Sequence, residues 1–166
     1  MTFYEFTHPD RFSAGAVGDV GSRLFLIQAI EGTRTLTIKV EKQQIAILAT
    51  YLSRAIEGLG RPGHLPEDLA LVLSPDQGID FVAGNLSVAI NDETGNVDVL
   101  VEEAVEEGAL GDSATIVVSK EQAAAFAIHA TQLVEAGRPP CPLCAMPLDP
   151  RGHDCPRTNG HRAPLT

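Results

Sequence analysis

All three cysteines of the chain lie in one short stretch, CPLCAMPLDPRGHDC, residues 141–155. The Cys141-x-x-Cys144 spacing lets two thiolates converge from one tight turn, and His153-x-Cys155 offers a second pair after eight intervening residues. Cys141, Cys144, His153 and Cys155 together make the donor set of a tetrahedral structural zinc site, one zinc per chain. A closed set of four leaves no position for a substrate water, so the expected role is structural. His161 is an alternative fourth ligand, but His153 makes the more compact second half. The segment has no hydrophobic periodicity, and bound zinc would supply roughly 10 kcal/mol or more of the missing folding free energy. Six prolines between Pro139 and Pro156 reduce the entropy lost on ordering. Two other readings stay open, a redox pair and plain thiols. The redox pair fits less well, because it needs the motif at a helix start after a strand, whereas here it follows a helical pattern.

Other reactive residues have weaker settings. In GAVGDVG, Gly15, Gly18 and Gly21 recur every third residue, but the run opens a strand and has no lysine, so a hairpin turn is expected rather than a phosphate cradle. THPDR brings His8, Asp10 and Arg11 together, where a Pro-Asp turn with a solvent-facing histidine competes with an oriented base. His129 falls beside the apolar face of a helix and reads as a boundary residue, and His64 lies in a loop. No serine sits in a nucleophile-elbow setting. Seven acids lie between Asn91 and Glu107, which suits a solvated hairpin and loop, or else a docking surface for a basic partner.

These residues need elements to hold them. The chain has 166 residues, 44% hydrophobic and 20% charged, enough for one domain with a real core. No apolar run approaches the length of a membrane span, and the start lacks a secretory pattern, so a cytoplasmic location without a disulfide framework is expected. Eight basic and twenty acidic residues up to Gly137 give −12, while four arginines and two acids after it give +2. The acidic body disfavours nucleic acid as a partner.

Two segments align without a gap, Thr37–Glu57 on Thr115–Glu135, with eight identities in 21 positions. Gly-Arg-Pro follows each, and FSAG (12–15) matches FVAG (81–84) upstream. Each unit reads as three β-rich runs and one amphipathic helix, with Ile45, Leu48, Leu52, Ala55, Ile56 and Leu59 on one apolar face and Ala123, Phe126, Ala130, Leu133 and Val134 on the other. Ser119 and Gln122 have the spacing of a capping box. The expected fold is α+β, a duplicated βββα body with a mostly antiparallel sheet and two helices. Its units span about 1–62 and 63–137, related by a pseudo-twofold axis, and a metal-binding tail covers 138–166. The connector 61–80 reads as a short helix or an added strand.

The opening FTHPDRFSAGAVG and, more specifically, CPLC through DPRGHDCPRTNG resemble domain-of-unknown-function family 3090, a family of actinobacterial hypothetical proteins, over the whole chain. The resemblance implies no activity and no site residues. Ala145 stands where glycine is expected after a cysteine turn, and moves none of the proposed ligands. The residues favour a non-enzymatic interaction or regulatory protein, with Arg151, Arg157 and Arg162 of the tail contacting a protein partner. The alternative is an enzyme or small-molecule binder with its site in the groove between the two units.

Overall fold

The computed structural model describes residues 1–19 and 21–136. The chain divides into two compact units, Met1–Val134 and Glu135–Thr166. The first unit holds β1 (Phe3–Phe6), β2 (Arg11–Val17), β3 (Leu24–Glu31), β4 (Arg34–Val40), α1 (Lys42–Glu57), β5 (Phe81–Asn91), β6 (Asn96–Glu103), β7 (Ser113–Val118) and most of α2 (Lys120–Glu135). The strands form a seven-stranded sheet in the order β1-β7-β6-β5-β4-β3-β2. It is antiparallel except where β1 runs beside β7 and β4 beside β5.

Three strands and a helix therefore occur twice in succession, as β2-β3-β4-α1 and β5-β6-β7-α2. Alternation in the strands selects one face for the core. Ile27 and Ala29 of β3 oppose Ile38 and Leu36 of β4, and Val97, Val99 and Val101 of β6 oppose Val118, Ile116 and Ala114 of β7. These residues join Phe6, Phe12, Phe81, Leu48, Leu52 and Phe126 in a single buried cluster that draws on all seven strands and both helices. Both helices thus lie on the same side of the sheet. Each begins with a reciprocal cap: Gln44 accepts from the Glu41 amide (2.7 Å), and Gln122 accepts from the Ser119 amide (3.0 Å) while the Ser119 hydroxyl accepts from the Gln122 amide (3.1 Å).

The same glutamines also hold the halves together. Gln44 donates to the carbonyls of Ala83 (3.1 Å) and Gly84 (3.0 Å) at the start of β5, and Gln122 donates to the Pro9 carbonyl (2.8 Å) just before β2. The helix of the first half grips the start of β5, and the helix of the second grips the residues that lead into β2.

Strand β1 was not expected from the sequence. It stands at the opposite end of the sheet from β2, yet only residues 7–10 separate them. Six strand spacings span about 29 Å, while five residues reach no further than about 18 Å. The sheet must therefore curl, and Arg34 at the head of β4 does donate to the Glu5 carbonyl of β1 (3.0 Å).

The connector forms neither helix nor strand. Instead it straps the outer face of the first half. Gln28 clamps Val72 at both backbone groups, donating to its carbonyl and accepting from its amide (2.8 Å each). This side-chain clamp takes the place of a ladder and accounts for the missing strand. Arg11 donates to Ala70 and pairs with Asp68 (2.8 Å). Leu71 fills the notch over Gly15, where an added Cβ would stand 2.5 Å from its Cγ.

Replacing Gly15 with Ala should cost about 1–3 kcal/mol by overpacking. In a denaturation double-mutant cycle, Leu71→Ala should relieve most of that cost, giving a coupling of opposite sign to the single-site loss.

Candidate functional site

The proposed zinc ligands Cys141, Cys144, His153 and Cys155, the alternative His161, and the tail arginines Arg151, Arg157 and Arg162 lie outside the described residues. Among the described residues, no group of three or more His, Cys, Asp or Glu side chains is placed to hold a metal ion. No helix there is long and apolar enough to cross a membrane.

The side chains of THPDR go to separate partners rather than forming one cluster. Asp10 accepts from the Gly32 amide (2.7 Å), Arg11 holds the connector, and the His8 ring meets the Thr7 hydroxyl (3.2 Å). Glu31 accepts from the His8 amide and pairs with Arg34. The His8 amide first, and Arg34 after it, hold the Glu31 carboxyl below its ordinary value of 4.5. His129 donates from Nε2 to the Ala14 carbonyl (3.0 Å), beside Phe12 stacked on Phe126 at 4.4 Å. His64 is exposed, 3.9 Å from Glu67. The glycine run ends β2 and turns into β3, with Gly18 and Gly21 at positive φ. The acids near residue 92 occupy the β5–β6 hairpin, whose turn is closed by Asn91 accepting from the Glu93 and Thr94 amides.

Tyr4, at the other end of the sheet, stacks on Phe81 with ring centroids 6.0 Å apart. Desolvation first, and then the carboxylates of Asp80, Asp112 and Glu103, push its phenol above the usual range. A raised phenol stays protonated at neutral pH and is a poor base.

The arrangement with room for a ligand lies where α1 meets β5. Phe81 and Ala83 face the core, and so do Leu86 and Val88, although two even positions cannot follow two odd ones on one strand face. A β-bulge between Ala83 and Asn85 supplies the extra residue that resets the phase. Gly84 permits it, because a Cβ there would sit 2.8 Å from the Ala104 Cα, a backbone atom that cannot move aside. Beyond the grip of Gln44 on Ala83 and Gly84, a groove of about 460 Å³ separates the two elements, lined by Tyr51, Arg54 and Ala55 of α1 and by Leu86, Ser87, Val88 and Ile90 of β5. It joins the first βββα half to the second. None of these lining residues stands out as reactive in the sequence. The signal for them is the phase switch in FVAGNLSVAI, where apolar residues change from odd to even positions at the glycine.

A family model described as "Protein of unknown function (DUF3090)" matches residues 4–155. No curated protein and no solved structure matches the chain.

Glu31 gives a pH test. Its folded value is depressed, so its contribution to stability is complete above the unfolded value and is lost as pH falls through the folded value. Replacing Glu31 with Gln should lower stability at neutral pH and flatten its fall below about pH 4.5, read from thermal unfolding across an acid series.

Proposed function

The chain belongs to that family, and from its own residues we propose that it is a non-enzymatic interaction or regulatory protein, cytoplasmic, with a zinc-stabilised tail that contacts a protein partner. The observation that carries this reading is the ligand spacing: four zinc donors in 15 residues, in a chain with no other cysteine. The family match extends through Cys155 and so takes in all four, leaving His161 outside. A net +2 tail on a −12 body favours Arg151, Arg157 and Arg162 as the contacting groups, reaching an acidic or polar partner surface. In the same proposal the two βββα halves descend from one duplicated unit. The support is their common element order, the aligned identities, and the matching tasks of Gln44 and Gln122, which the alignment pairs.

A second reading, a small-molecule binder, is favoured by the groove between α1 and β5, which lies at the junction of the halves. It makes the body a ligand-binding part and leaves the tail's role unchanged.

Metal analysis of the purified protein should give one zinc per chain, and Cys141→Ser with Cys144→Ser should remove it. Protein with intact thiols and no metal overturns the site. Affinity capture should lose the tail's partner when Arg151, Arg157 and Arg162 are changed to Ala. Identical partners on both baits would assign docking elsewhere.

A further inference from the structure

The core-facing side of β5 is left incomplete. Leu86, Val88 and Ile90 stand opposite Val101, Val99 and Val97 across the β5–β6 ladder, so all six side chains emerge on one face. The three valines are 0% exposed, whereas Leu86 and Val88 are half-buried and Ile90 is 42% exposed. One strand of this apolar face is fully covered and its neighbour only in part. Tyr51, itself 41% exposed, and Ala55 supply further apolar surface from the helix side. The volume between the walls lies within the range of small-ligand sites.

Charge narrows what fits. Arg54 is the one cation of the lining, and it has no ion pair among the described residues. A single guanidinium matches one carboxylate through two parallel charge-assisted hydrogen bonds. The acidic body repels a polyanion such as a phosphate ester far more than a single negative charge held against Arg54. A ligand for this groove therefore carries one negative charge at one end and an apolar body beyond it.

We propose that the groove binds a small amphipathic monocarboxylate, its aliphatic body along Leu86, Val88 and Ile90 and its carboxylate on Arg54. The proposal rests on the second reading above and gives that site its ligand class. From Leu86 to Ile90 the strand advances about 13 Å, the length of a chain of roughly ten carbons.

Decanoate, kept below its micelle threshold, is the probe, with decanol as its neutral counterpart. Each is titrated into the full-length protein while backbone amide shifts are followed by NMR. Decanoate should saturate, with shifts centred on residues 51–55 and 86–90. Replacing Arg54 with Gln should weaken decanoate by about tenfold and leave decanol unchanged, and Ile90→Asp should weaken both. Both side chains are exposed, so an otherwise unchanged spectrum shows that each variant is folded. If decanol binds as tightly as decanoate and Arg54→Gln has no effect, the carboxylate assignment falls while a small-molecule groove remains. If neither probe saturates, or the shifts centre elsewhere, the ligand class and the groove reading fall together.

Discussion

Two register pairs, Ile38 with Phe81 and Lys39 with Val82, join β4 to β5 and make one seven-stranded sheet, with β2, β3 and β4 on one side of the joint and β5, β6, β7 and the added β1 on the other. Parallel strands cannot be joined by a hairpin, so the chain must cross over between them. It does so through α1 and the connector, and both become structural. The helix covers the core face and pins β5 through Gln44, while the connector covers the outer face of β2 and β3 through Gln28, Arg11 and Leu71. So short a ladder would hold poorly alone. The glutamine grip and the common apolar cluster turn it into a joint.

Much of this was legible in the sequence. β-rich runs between turn residues marked the strands from β2 to β7, and the 3.6-residue stripe from Ile45 to Leu59 placed the buried side of α1. The capping-box spacing of Ser119 and Gln122 predicted a contact that the structure contains. What escaped depended on partners distant in the chain. FYEF in β1 is too short to declare itself, and it becomes a strand because Ser113–Ile116 offers it a ladder more than a hundred residues away. The connector was ambiguous because its order comes from Gln28, a residue inside another strand. The candidate sites divide along the same line. Cysteine and histidine spacing is a local signal, read directly from residues 141–155. The groove is made by Tyr51 and Arg54 on one element and Val88 and Ile90 on another, and no local pattern joins them.

The matched FSAG and FVAG runs show how similar sequence serves different ends. Gly15 leaves a notch for the side chain of Leu71, whereas Gly84 lets the backbone of Ala104 approach and admits the bulge. After them β2 stops at Val17 and β5 runs on to Asn91. The added length of β5 supplies one wall of the groove. The other junction, between α2 and β2, is occupied instead by the stacked Phe12 and Phe126 and by the hydrogen bond from His129.

The bulge at Gly84 also sets what kinds of genetic change this protein tolerates. A strand's side chains alternate strictly, so losing the bulge's extra residue would set Leu86 two positions after Ala83 and keep Leu86, Val88 and Ile90 on the core face, whereas one further residue would turn them outward and bring Asn85 and Ser87 inward. Inserting a single codon between Phe81 and Leu86 would therefore be worse than most substitutions in the same stretch, and worse than removing one. The turns after β2 and near residue 76 face no such arithmetic, and length variation among descendants of this chain should collect there.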